Sequence, residues 1–345
     1  MWAKRDNRRH GSLVGIVAVA LVAVVGAVAL SFDLGRVVSA AQRTQDVADS
    51  AVLAAVQTFS TDALGEARWR VDTTVSANNL GTGLTVTCST AEGSSDFILY
   101  NVGDTVPSYG TLGTYDQAVT VYTHANVPFF FATALGLHET DVTRRATAVM
   151  TAVISTNIIP MWVSETTPYN YGQYRELLMA DGPHYPGIPG NFGWLTPKTG
   201  TDDFYTLIKG YNVPQSILDA NIMSIGETMY GEPGVKVGLW TGSLAKDDDS
   251  RLKRALWAPW VNDTFDNHRK DNPRILIIPI CEYQPDSGGG ANAAFVIKKF
   301  GAFWLEDVAT SGKSITGRFI QYVVPGAAHG TGYGETGLWT TFLAN

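Results

Sequence analysis

The sequence predicts an α+β protein. An N-terminal transmembrane helix continues into a long amphipathic helix, an α+β module follows, and a β-rich domain completes the chain. Three observations lead there. Residues 13–30 read LVGIVAVALVAVVGAVAL, without a charged or strongly polar side chain. The next segment repeats small apolar side chains every three or four residues. Beyond it, short runs rich in Val, Thr, Ile and Tyr are separated by glycines.

At about 1.5 Å of rise per residue the apolar run spans roughly 27 Å, close to the hydrocarbon thickness of a bilayer. Residues 1–12, MWAKRDNRRHGS, carry Lys4, Arg5, Arg8 and Arg9 against Asp6 alone. Basic charge flanking a first apolar span stays in the cytoplasm. Residues 1–12 are therefore expected to be a cytoplasmic basic tail and 13–32 a transmembrane anchor, with the remainder outside the cytoplasm. The first partner implied is the lipid bilayer. A cleaved signal peptide is the rival reading. Its apolar region runs about 7–15 residues and ends at a small-residue cleavage site. Here the run is longer and passes into SFDLGRVVSAAQ, where Asp33 and Arg36 precede the candidate site residues Val38 and Ala40. A retained signal anchor fits better. A buried core helix fits worse, because no other segment could surround it with apolar side chains.

The chain has 345 residues and a formal net charge of −7, which leaves one large or two ordinary domains outside the anchor. Charged residues are 17%, aromatic residues 11%, and there are 35 glycines, a mixture that suits a strand- and turn-rich exterior domain. The acidic balance argues against nucleic acid as a partner. Cys88 and Cys281 are the two cysteines. In an oxidising compartment they either pair, tying distant regions together, or stay apart as small buried hydrophobes. They have no CxxC spacing and no zinc-type Cys/His cluster.

In chain order, Leu34, Val37, Ala41, Thr44, Ala48, Ala51 and Ala55 form a stripe of mostly small residues, with Arg36, Gln42, Arg43, Asp46, Asp49 and Ser50 off it. That pattern is a helix continuing from the anchor, docked on its own sheet or on a partner helix. A second helix is expected over 62–75. Strands are expected at 84–88, 96–100 and 118–125, punctuated by Gly81, Gly83, Gly93, Gly103, Gly110 and Gly113. VPFFFATALGL at 127–137 reads as a short helix, with Pro128 in its first turn and Gly136 at its close. Residues 140–154 alternate and read as a strand. The α+β module is thus placed at 33–154 and the β-rich exterior domain at 155–345. Within the latter, 184–195 is Pro/Gly-rich and irregular, and 201–230 holds one or two helices. Strands are expected at 235–240, 274–281, 293–300, 302–305 and 315–324. Asp247, Asp248 and Asp249, followed by Arg251, Lys253 and Arg254, read as a solvated loop entering a helix.

The run RRHGSLVGIVAVALVAVVGAVALSFDLGRVVSAAQRTQDVADSAVLAAV at 8–56 resembles the Tad-type proteins of bacterial Flp pilus assembly, in particular TadG-like proteins. Its carriers are the basic residues and Gly before the apolar span, the Asp-Leu-Gly-Arg element at 33–36, and the Ala-rich helix with Gln45, Ala48, Asp49 and Ala51. VTVYTHANVPFFFATALGLHETDVTRRATAVM at 119–150 looks like the strand–helix–strand that closes this pilin-like module. GNFGWL at 190–195, GEPGVKVG at 231–238, RILIIPIC at 274–281 and KKFGAFWLEDV at 298–308 are similar to C-terminal parts of TadG-like chains. The resemblance implies a single-pass protein of the bacterial inner membrane, with pilus-assembly or envelope proteins as partners. Prepilins of this system are cut after a Gly and carry Glu at the fifth new position. After Gly11 that position is Ile16, which favours retention in the membrane. The von Willebrand-type Asp-x-Ser-x-Ser run of some TadG-like proteins does not occur.

The sequence nominates no catalytic, cofactor or metal residues, and no enzymatic activity or cofactor is expected. Ser311, Gly312, Lys313 and Ser314 hint at a phosphate loop, but the position of its first Gly is Asp307, which argues against nucleotide. No Gly-x-Ser-x-Gly or His-Glu-x-x-His occurs. His124, His138, His184, His268 and His329 are scattered. Asp263, Asp266 and Asp271 lack the spacing of an EF-hand, and an irregular calcium site there, or at Asp286 beside Gly288 to Gly290, is the remaining alternative. Trp257, Trp260, Trp304 and Trp339 are core residues or, if exposed, a contact surface for an envelope polymer. A tethered polymer-binding module and, more remotely, a tethered hydrolase with a carboxylate pair drawn from distant positions remain the competing functions.

Overall fold

The apolar run and the small-residue stripe are one helix, α1, His10–Val56, 47 residues long. The computed structural model describes residues 10–58, 63–79, 83–114, 116–166, 170–178, 191–234, 236–309, 314–324, 327–330 and 337–344. Among these, α1 is the one helix long and apolar enough to cross a membrane, and its most apolar stretch is buried nowhere against the rest of the chain. Burial starts at Asp33 and becomes regular from Ala40. Ala48, Ala51, Val52 and Ala55 are fully buried, and Thr44 with them. Leu34, assigned to the stripe, is instead 64% exposed.

Helix α2 (Ala63–Asn79) packs along α1 through Ala67, Val71 and Val75. Short strands β1 (Val86–Thr87) and β2 (Phe97–Tyr100) follow, then the small hairpin β3 (Thr105–Val106) with β4 (Gly110–Thr111). Two long strands carry the module: β5 (Gln117–Pro128) and β6 (Glu139–Asn157), antiparallel from Gln117↔Met150 to Pro128↔Glu139. Alternate residues of β5, Val119, Val121 and Thr123, face α1. The Thr123 hydroxyl donates to the Thr44 carbonyl at 3.0 Å, so the sheet lies within hydrogen-bond reach of the helix backbone. Only small helix side chains permit that approach. The stripe is therefore the contact between α1 and its own sheet.

The remaining elements are β7 (Val163–Ser164), β8 (Tyr174–Leu178), β9 (Asn191–Leu195), α3 (Phe204–Lys209), α4 (Gln215–Ala220), β10 (Ile222–Ser224) and β11 (Thr228–Pro233). They continue with α5 (Val237–Thr241), α6 (Arg251–Arg254), β12 (Ile275–Gln284), β13 (Ala294–Val308) and β14 (Ser314–Ile320). The last are β15 (Tyr322–Val323), β16 (Ala328–Gly330) and β17 (Leu338–Leu343). Described strands form two large sheets. The first runs β1-β5-β6-β17-β15, with β2 on β5 and β10 and β16 on β6; the second runs β7-β12-β13-β11-β9, with β14 on β13 and β8 on β14. Pairing crosses position 154. Strand β6 runs on to Asn157, and β15 and β17 return from the C-terminal part, placing Val323 and Trp339 in the core beneath α1. The whole is α+β, with its C-terminal part rich in strands.

Several local expectations change. Of the strand expected at 235–240, residue 235 lies outside the described residues; Lys236 adopts a left-handed φ of 40°, and α5 begins at Val237. The two strands expected at 293–305 are one, because Gly301 continues the ladder. A Cβ there would sit 3.2 Å from Ile280 and 3.3 Å from Phe319, so the glycine permits close packing without breaking the strand. The run at 315–324 divides between β14 and β15, which belong to different sheets. In the segment 184–195, residues 184–190 lie outside the described residues, and Asn191–Leu195 is strand β9, paired with β11. The charged run 247–254 is not wholly solvated. Arg254 is buried and donates to the Lys209 carbonyl at 2.6 Å, while Arg251 donates to the Ile208, Pro273 and Ile275 carbonyls. These guanidinium groups satisfy the end of α3, where helix carbonyls lack partners.

Candidate functional site: the junction where the anchor meets the domain

The segment expected to be a helix at 127–137 is mostly a connection between β5 and β6. Pro128 ends β5 opposite Glu139, and only Ala132–Leu135 turn, as a 3₁₀ helix closed by Gly136 at φ 82°. The cause lies nearly a hundred residues upstream. Asp33 is 3% exposed and accepts the backbone N–H groups of Phe130, Phe131 and Ala132 at 2.8, 2.9 and 2.7 Å. A charged acceptor makes such bonds stronger than neutral ones. Three residues along, the Arg36 guanidinium donates to the Pro128 carbonyl at 2.8 Å. Asp33 and Arg36, the two charges of the Asp-Leu-Gly-Arg element, thus clamp the β5–β6 loop to α1.

The clamp holds an aromatic cluster. Phe32, Phe130 and Phe131 meet edge to face, with ring centroids 6.4, 5.7 and 4.9 Å apart in the pairs 32–130, 32–131 and 130–131. With Val24, Val28 and Ala29 of the anchor they line an open apolar groove of about 430 Å³. The sequence marks both partners, a carboxylate directly after the apolar run and an apolar VPFFF run in a connecting segment. Nothing in their spacing joins them.

Among the described residues the other candidates do not gather into one site. His124 pairs with Asp96 at 3.0 Å and Thr143 at 2.9 Å. His268 contacts the Phe265 carbonyl at 2.8 Å and stacks on Trp304 at 4.8 Å. His138 is exposed, and His184 lies outside the described residues, as does the side chain of His329. Among the described residues no His, Cys, Asp and Glu side chains group as metal ligands. The Asp263 carboxylate is occupied by the Arg269 N–H and the Asn272 amide. Ser311, Gly312 and Lys313 lie outside the described residues. Ser314 opens strand β14, whereas a phosphate loop leads into a helix. Trp304 and Trp339 are core, Trp260 is half-buried, and Trp257 is 42% exposed, so the four do not form one contact surface. Cys88 and Cys281 are unpaired and pack in different hydrophobic clusters. Burial, then the charges of Asp96 and Asp72, pushes the Cys88 thiol up to about 12. Burial likewise raises that of Cys281. Both are thiols, not nucleophilic thiolates, at neutral pH.

Residues 11–58 match the model of a family described as putative Flp pilus-assembly TadE/G-like. The match covers α1 almost end to end, from the apolar span through Asp33 and Arg36 to the buried alanines. The N-terminal segment is thus similar to Tad-type pilus-assembly proteins, and its one long apolar helix is consistent with membrane anchoring. Comparison with curated proteins and with solved structures gives no match.

Proposed function

We propose that this chain is a single-span structural protein of Tad/Flp-type pilus assembly, held in the bacterial inner membrane with residues 1–12 in the cytoplasm and the domain outside it. The observation that carries the reading is the dual use of α1. The family match falls on one uninterrupted helix whose first half is exposed and apolar and whose second half is the centre of the domain core. Such a helix fixes an exterior domain to the bilayer without a flexible joint, which suits a scaffold or anchoring part. The role is non-enzymatic and uses no cofactor. Its partners are other pilus-assembly or envelope proteins, met through the exterior α+β surface.

Deleting the gene and imaging surface pili tests this. The expected result is loss or gross reduction of Flp-type pili, restored by the intact chain. Normal piliation in the deletion strain would overturn the assignment.

A further inference from the structure

We propose that the β5–β6 loop, residues 129–138, is a second membrane-embedded element, inserting Phe130, Phe131, Leu135 and Leu137 into the acyl region of the exterior leaflet beside α1. Asp33 is the positioning residue that holds it there. The inference rests on the anchored reading above and adds a lipid-binding surface to it.

The exposure of these four side chains is the first observation: 66, 43, 69 and 55%. Large apolar side chains grouped at one loop tip mark an interaction surface. Their position names the occupant. Phe130 and Phe131 lie against Val24, Val28 and Phe32, and the first two of these belong to the apolar run that spans the hydrocarbon. The groove between loop and helix is continuous with the anchor surface, so whatever solvates the anchor solvates the loop. Interfacial elements bury their apolar face roughly 5–10 Å into the headgroup–acyl boundary. A loop lying beside the end of the spanning segment reaches that depth.

The backbone supplies the second, independent observation. Irregular backbone is costly at membrane depth because its N–H and C=O groups find no water there. In this loop many of them are answered internally. Phe129 donates to His138 at 2.9 Å, Ala134 to Phe131 at 3.1 Å, Gly136 to Thr133 at 3.0 Å and Leu137 to Ala132 at 3.1 Å. Phe130, Phe131 and Ala132 donate to Asp33. The Thr133 hydroxyl donates to the Phe130 carbonyl at 2.9 Å. Asp33 therefore does for the loop what water does elsewhere, and it does so from the residue that directly follows the expected anchor.

The test places a nitroxide label at Leu135→Cys in the full chain, with Cys88 and Cys281 replaced by Ala, in phosphatidylethanolamine/phosphatidylglycerol vesicles. Collisions with oxygen, which partitions into lipid, are compared with collisions with a water-soluble nickel chelate. Labels at Val22→Cys and Glu92→Cys serve as references for lipid and water. The expected result is that position 135 favours oxygen, as position 22 does. A nickel preference at 135 with an oxygen preference at 22 overturns this proposal alone, whereas a nickel preference at both overturns the anchored reading. Low access to both reagents at 135 means that a second copy or another protein fills the groove, and also overturns lipid insertion. Asp33→Asn should abolish the oxygen preference at 135, leave position 22 unchanged and preserve the circular dichroism spectrum. An unchanged signal at 135 would remove Asp33 from the positioning role.

Discussion

Ala48 has no exposed surface, and beside it Thr123 reaches the backbone of α1. A longer side chain has no room there. Extra methylenes in such a contact cost about 1–3 kcal/mol. Ala48→Leu should therefore lower the melting temperature of the full chain, while Gln42→Leu, on the exposed side, should leave it unchanged; equal effects would show that the helix is not docked as described. Arg43 is a poorer reference, since it donates to the Asn78 carbonyl at 2.6 Å. A second residue-level prediction concerns pH. The Tyr205 hydroxyl, outweighing burial, and the Lys209 ammonium hold the Asp247 carboxyl below the usual carboxylate range. A depressed pKa contributes stability that is complete above the unfolded value, near 3.9, and is lost as pH falls through the folded one. The urea midpoint should fall below about pH 4 by this route, and Asp247→Asn should flatten that slope. Unequal legibility of residues has a physical cause. The alanine stripe is a local pattern of threes and fours, visible because the helix repeats. Leu34 keeps the spacing, but its side chain is exposed. Asp33 finds its partners nearly a hundred residues away, and no local period reports that.

At the scale of elements, the continuity of α1 matters most. Gly35 sits between anchor and domain, and a Cβ added there meets nothing within 4 Å. Gly35→Ala should strengthen the helix by about 1 kcal/mol, whereas Gly35→Pro should weaken it by about 2 kcal/mol and kink it. The expected outcome is a folded domain in both variants by near-ultraviolet circular dichroism, with pilus number maintained by Ala and lost with Pro. Unimpaired piliation with Pro would show that the helix need not be rigid. Long, strongly periodic elements were legible in the sequence: α1, α2, β5, β6 and β12 lie where the pattern puts them. Misread elements were governed by contacts at a distance. A valine-rich run became α5 after Lys236 turned left-handed, and the Phe run became a loop because Asp33 captured its N–H groups. Gly301 looked like a break and is a packing point, a distinction made by Ile280 and Phe319 from other strands.

At the scale of the whole molecule, orientation and attachment to the membrane can each be tested. Four basic residues precede the span, so a phosphatase fused after Asn345 should be active and a reporter that needs the cytoplasm should be dark there. The reverse pattern would return the domain to the cytoplasm. Attachment is the central claim, since an exterior scaffold held by α1 differs from a secreted binding protein only in being fixed to the membrane. The most direct measurement replaces residues 1–32 with a cleavable secretory signal and expresses this released domain in the deletion strain, beside the intact chain. Pili counted by electron microscopy should return with the intact chain and not with the released domain, although both domains are exported and folded. Full piliation from the released domain would contradict the account.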